Sequence, residues 1–96
     1  MAKLSETDLT AAVEALPGWS VKNGKLHREY EFPDFVHAFG FMATAAIAIE
    51  AMEHHPEWSN SWNQVVVNLT THDAGGITAK DILLAGKLEE LAKRLR

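Results

Sequence analysis

Carboxylates and histidines crowd into one short stretch of this sequence: Glu50, Glu53, His54, His55 and Glu57, with Pro56 among them. Histidine titrates near neutral pH, and a neighbouring carboxylate fixes its tautomer and favours its charged form. Such a cluster is a candidate for general acid–base work. If a helix runs through it, Glu50 and His54 stand at i and i+4 on one face, and Glu50 becomes the expected partner of His54. His54 and His55 then project about 100° apart, and they meet in one pocket only if the helix unwinds at Pro56. A plainer reading is a helix C-terminus dressed with histidines, since cations suit its negative end. His72 stands further on, at the end of an apolar-alternating stretch and just before Gly75-Gly76. Strand ends that lead into loops often carry catalytic groups, because a rigid scaffold aims them.

Other chemistries fit these residues less well. Two histidines plus Glu50 are a conceivable metal set, but there is no His-Glu-x-x-His and no cysteine ligand. Gly75-Gly76 before a helix start at Thr78 is a conceivable phosphate site, yet it lacks the Gly-Lys-Ser/Thr ending of a phosphate loop. No nucleophile elbow is present for a serine hydrolase. Asp81 is accounted for as the acid of the capping box Thr78-x-x-Asp81. Trp58 and Trp62 offer flat faces for a heterocycle, although strand aromatics more often serve core or interface. His27 and His37 read as surface or structural histidines.

The elements that must position these groups follow from periodicity. Ser5 caps a first helix whose Leu9, Ala12, Val13 and Leu16 share a face, ended by Pro17-Gly18. Trp19 and Val21 lie on one short strand, Asn23-Gly24 makes a type I′ turn, and Lys25 to Phe32 returns with Leu26, Tyr30 and Phe32 inward. Pro33-Asp34 opens a second helix, expected to reach Glu53–His55 and to bury Phe35, Phe39, Met42, Ala46 and Ile49, with Val36, Ala43 and Ile47 widening the stripe. Trp58 to Trp62 and Val65 to Thr71 form a second strand pair about Asn63-Gln64. A last helix opens at Thr78 and buries Leu84, Ala85, Leu88, Leu91, Ala92 and Leu95. The order α-β-β-α-β-β-α predicts an α+β two-layer sandwich: an antiparallel four-stranded sheet with helices on one face.

Composition narrows the function classes. The 96 residues suit one domain of modest stability, for which assembly would help. Nine basic against 13 acidic residues give −4, which disfavours a nucleic-acid backbone binder. The absence of cysteine excludes disulfide and thiol chemistry. The apolar stretch Phe35 to Met52 contains His37 and Glu50 and reads as a core helix rather than a membrane span. With no secretory-type apolar run near the start, the expected compartment is the cytoplasm.

The pattern Glu50-x3-His54-His55-Pro56-x5-Trp62-x9-His72-x8-Asp81 closely resembles the signature of the pterin-4a-carbinolamine dehydratases. Thr71-His72-Asp73-Ala74-Gly75-Gly76 and the Trp19 hairpin also look like that family, over nearly the whole chain. The resemblance implies a single dehydratase-like domain over 1–96. It implies dehydration of 4a-hydroxytetrahydrobiopterin, the product of an aromatic amino acid hydroxylase, to quinonoid dihydropterin and water, without metal or organic cofactor. By that similarity His54 and His72 are the acid–base pair, Glu50 tunes His54, and His55 binds the pterin with a share in proton transfer. Pro56, Thr71, Asp73 and Ala74 would line the substrate, Trp62 would shape the wall, and Asp81 would fix the loop and helix start. The implied partners are a pterin and further copies of the chain, as a homodimer or homotetramer, with no direct nucleic acid and no membrane. A non-catalytic dimerisation module of the same fold is the alternative.

Overall fold

The computed structural model describes residues 2–95. Helix α1 (Glu6–Glu14) begins where expected, with the Ser5 hydroxyl accepting from the Asp8 N–H at 3.2 Å. Strands β1 (Ser20–Lys22) and β2 (Lys25–Glu31) are joined by Asn23 and Gly24, both at positive φ (54° and 75°), as a type I′ turn requires. Then come α2 (Phe35–Met52), β3 (Glu57–Ser61), β4 (Gln64–Leu69), a 3₁₀ turn at His72–Ala74, and α3 (Ala79–Leu95). The sheet is antiparallel throughout, in the order β1-β2-β4-β3, so β2 and β4 pair at the centre and β3 is an edge. This is the α-β-β-α-β-β-α sandwich that the periodicity predicts.

The core lies between the inward face of the sheet and the helices. Leu26, Tyr30, Val65, Val67 and Leu69 meet Phe41, Ala45, Leu84 and Leu88, all at most 1% exposed. Phe41 packs its ring 5.0 Å from that of Tyr30 and 5.1 Å from Phe32, distances typical of favourable aromatic pairs. Leu9, Val13 and Leu16 of the α1 side pack on this core but stay only half-buried.

Helix α2 departs from its expected orientation. Its buried side is Ala38, Phe41, Ala45 and Ile49, with Met42 half-buried. Phe35, Val36, Phe39 and Ile47, expected inside, are 48–75% exposed, and Ala43 and Ala46 are exposed too. The reason is compositional: this helix is apolar nearly all round, so periodicity cannot choose a face. Packing chooses the side where small Ala38 and Ala45 let the backbone approach its neighbours. By length and mean hydropathy (18 residues, 1.6) α2 is apolar enough to cross a membrane, but here it carries one face of the core.

A polar hub ties the first hairpin to α3. One oxygen of Glu89 accepts from Trp19 Nε1 (3.0 Å), Arg28 Nε (2.9 Å) and the Tyr30 hydroxyl (2.7 Å). Burial pushes the Glu89 carboxyl up, but the bonds from Tyr30 and Arg28, the Arg28 charge and the Trp19 bond outweigh it and hold the pKa below its ordinary 4.5. A carboxyl lowered on folding contributes stability above its unfolded pKa and loses it as pH falls through the folded one. Glu89→Gln should therefore lower the urea midpoint most at neutral pH, with the deficit shrinking below pH 4.5. An equal deficit at every pH would show that the charge is not what the hub uses.

Candidate active site

The site is built where α2 ends, β3 begins and β4 runs into the 3₁₀ turn. Helix α2 stops at Met52, four residues before Pro56, because Glu53 adopts the left-handed conformation (φ 52°, ψ 38°). The Glu53 N–H returns to the Glu50 carbonyl (3.1 Å) and the His54 N–H to Ile49 (3.4 Å), closing the helix end. A left-handed glutamate costs on the order of 1 kcal/mol. It redirects His54 out of the helical path, so Glu50 and His54 are not helical neighbours.

The expected Glu50–His54 pair is accordingly not formed. Glu50 Oε1 instead meets His55 Nε2 at 2.9 Å, an exposed pair with side chains 81% and 63% accessible. His54 turns inward, 11% exposed, and its Nε2 lies 2.5 Å from Oδ1 of Asp81. Asp81 is completely buried. Its other oxygen accepts the Thr78 N–H (2.8 Å) and the Thr71 hydroxyl (2.9 Å), and the Thr71 and Thr78 hydroxyls are 2.8 Å apart. With Thr71 donating to Asp81, the Thr78 hydroxyl donates to Thr71. The capping role read for Asp81 is real, but it occupies one oxygen only; the other orients the catalytic candidate. Since the carboxylate accepts, His54 carries a proton on Nε2, and its Nδ1 has no bonding partner among the described residues.

His72 opens the 3₁₀ turn, which Gly75 closes at φ 76° and a Thr71–Gly76 bridge pins. It is 78% exposed, and its Nε2 lies 3.2 Å from Oε2 of Glu57. Thr71, at the turn's N-terminus, links His72 along the chain to the Asp81 network. Pro56 and Ala74 are half-buried beside these groups in sequence, and Asp73 is exposed. Trp62 sits elsewhere: it is the hairpin tip, at φ 49° and 66% exposed, beyond the opposite end of β3 from Glu57. Five strand steps place it on the order of 16 Å away, so it forms no wall of this chain's histidine cluster.

Sequence reasoning grouped Glu57 with its neighbours but gave it no role, read Lys25 only as the start of a strand, and read Thr78 only as a helix cap. The signal for Glu57 is its register: it pairs with Asn68, which pairs with His27, on the outer face of the sheet. His27 and His37 prove structural, His27 bonding Asn68 (2.8 Å) and Glu29 (2.7 Å), and His37 bonding Asp34 (2.7 Å). Among the described residues, no group of three or more His, Cys, Asp or Glu side chains is disposed to hold a metal ion. A cleft of about 580 Å³, lined by Gly18, Arg28, Glu89 and Lys93 among others, includes none of the candidate histidines.

Residues 2–91 match the family model described as pterin 4 alpha carbinolamine dehydratase. A relative from Solibacter usitatus (strain Ellin6076), provisionally named a pterin-4-alpha-carbinolamine dehydratase, is 61% identical over 90 residues, covering 94% of this chain and 95% of its own. One from Rhodopseudomonas palustris (strain BisB18) with the same provisional name is 48% identical over 95 residues, covering 97% and 94%. The crystal structure of a transcriptional coactivator/pterin dehydratase from Brucella melitensis superposes with a TM-score of 0.90 at 43% identity, over 94% of this chain and 98% of that one.

The buried network makes Asp81 the expensive residue of the cluster. Asp81→Ala leaves the Thr78 N–H, the Thr71 hydroxyl and the His54 ring without their acceptor, and should cost about 2–5 kcal/mol of unfolding free energy in urea. Glu50→Ala, which releases an exposed pair, should cost under about 1 kcal/mol. Equal losses would mean that the network does not hold the site.

Proposed function

The chain belongs to the pterin-4a-carbinolamine dehydratase family, and we propose that it catalyses loss of water from 4a-hydroxytetrahydrobiopterin by histidine acid–base chemistry. One observation carries the reading. Each of His54, His55 and His72 sets Nε2 against its own carboxylate, and among the described residues none of their Nδ1 atoms is bonded. Three rings so tethered present their other nitrogens for use, which a purely structural histidine has no need to do.

The reaction needs one proton delivered and one removed. The C–O bond at the carbinol carbon breaks as an acid protonates the leaving oxygen. The lone pair of the adjacent ring nitrogen forms the C=N bond, and its N–H proton passes to a base. Water and the quinonoid dihydropterin result, with no change of oxidation state, so no metal or organic cofactor is called for. His54 and His72 serve as the acid–base pair, the side-chain type suited to both proton transfers. His54 Nδ1 is aimed by Asp81, a role that passes from Glu50 to Asp81 in this reading. His55, kept in place by Glu50, binds and orients the pterin and can share in proton transfer. Pro56, Asp73 and Ala74 line the substrate. Thr71 contributes through its backbone, since its hydroxyl is given to Asp81. The domain works as one unit, in the cytoplasm, beside the hydroxylase that supplies its substrate.

Assembly as a homodimer or homotetramer belongs to the same proposal. The α2 stripe of Phe35, Val36, Phe39 and Ile47 is a large apolar face for a monomer to expose. Strand β3 offers an open edge. Antiparallel pairing of two β3 edges would carry each copy's Trp62 toward the other's Glu57 end. The coactivator half of the Brucella protein's name favours a second reading, a coactivator or dimerisation module, for which the same apolar face would be the working surface.

Stopped-flow dehydration of chemically prepared 4a-hydroxytetrahydropterin tests the enzyme reading. His54→Ala and His72→Ala should each slow turnover by roughly 10²–10⁴-fold, with chelators leaving the wild-type rate unchanged. A wild-type rate at background from folded protein would favour the binding module. For the assembly, Phe39→Glu with Ile47→Glu should lower the sedimenting mass while leaving the fold intact by circular dichroism. An unchanged mass would exclude this face as the interface.

A further inference from the structure

We propose that Glu57, itself held by Lys25, is the positioning residue for His72. The inference rests on His72 being one of the acid–base pair. Glu57 opens β3 and divides its carboxylate: Oε1 lies 2.6 Å from Lys25 Nζ, and Oε2 lies 3.2 Å from His72 Nε2. Lys25 starts β2 and reaches this carboxylate from across β4, the strand between them. The Lys25 bond, opposed by desolvation and helped by the charges of Lys25 and His72, holds the Glu57 carboxyl below its ordinary value. Glu57 is therefore ionised at neutral pH, and its Oε2 faces His72 Nε2 as an ion-pair partner.

His72 needs such a tether more than the other two histidines. His54 is walled in at 11% exposure, whereas His72 stands 78% exposed on a three-residue turn, free to sample its rotamers unless something holds the ring. An exposed ion pair contributes little to stability, so the Lys25–Glu57–His72 line is poorly explained as a stabilising device. It is well explained as an aiming device, because a small misplacement of a catalytic group costs far more in rate than in folding. The arrangement also repeats the geometry at His54 and His55, where a carboxylate takes Nε2 and leaves Nδ1 to the substrate.

The test uses the full chain and two independent readouts. In the dehydration assay Glu57→Ala should lower kcat about tenfold with KM nearly unchanged, less than the roughly 10²-fold of a lost catalytic group. Glu57→Gln, which keeps an acceptor oxygen, should recover most of that loss, and Lys25→Met should show a smaller one. In a His72→Ala background Glu57→Ala should cause no further loss, because it acts through His72. Additive losses would overturn the proposal. Separately, ¹H–¹⁵N spectra of the imidazoles should show the His72 ring signals displaced by Glu57→Ala while those of His37, paired to Asp34, stay in place. An unmoved His72 ring would overturn it whatever the turnover. A wild-type rate at background would sink the dehydratase reading alone, since the ring signals still decide whether Glu57 holds His72.

Discussion

A carboxylate with no access to water must find donors for both its oxygens, and Asp81 does so by drawing three parts of the chain to one point. The N–H of Thr78 comes from the start of α3, the hydroxyl of Thr71 from the end of the strand region, and the ring of His54 from the far side of α2. Removing any of these leaves a buried charge under-satisfied, which costs more than the bond itself contributes. The placement of His54 is thus tied to the folding of α3. The oxygen that caps the helix and the oxygen that meets His54 belong to one carboxylate, so the start of α3 and the position of His54 are set together.

The three histidine–carboxylate pairs differ in burial, and that sets what each can do. His54–Asp81 is shielded, so its attraction is little screened and the ring is fixed. His55–Glu50 and His72–Glu57 lie in water, where attraction is screened and adds little to stability. The second carboxylate oxygen of Glu57 is occupied by Lys25, whereas Glu50, the partner of His55, is 81% exposed.

Much of this was legible in the residues. Ser5, Asn23-Gly24 and Thr78-x-x-Asp81 act locally, within three residues, and each is found as its type dictates. The alternation of Leu26 with His27 and of Val65 with Val66 set the two inner and outer faces of the sheet. What was illegible depends on the third dimension. Nothing in the residue type of Glu53 demands the left-handed conformation, yet that single dihedral moves His54 from Glu50 to Asp81. The pairing of Lys25 with a residue 32 positions away follows from the β1-β2-β4-β3 order, and that of His54 with one 27 away from the packing of α2 against α3; hairpin patterns alone specify neither.

Helix α2 is the instructive failure. A helix with one apolar stripe announces its buried side, but one that is apolar all round announces two. The side holding Ala38, Phe41 and Ala45 closes on the core, leaving Phe35, Phe39 and Ile47 in water. Phe35 and Phe39 cover each other, with ring centroids 5.7 Å apart, but that contact shields only a fraction of their area. At about 25 cal/mol per Å² of apolar surface, a stripe of this size is a substantial unclaimed driving force for association. The same face that misled the periodicity is therefore a consistent feature of a small domain. Its own core is modest, and a second layer of burial between copies would complete it. Since α2 also ends in the turn that delivers His54, association through this face would brace the segment that carries His54.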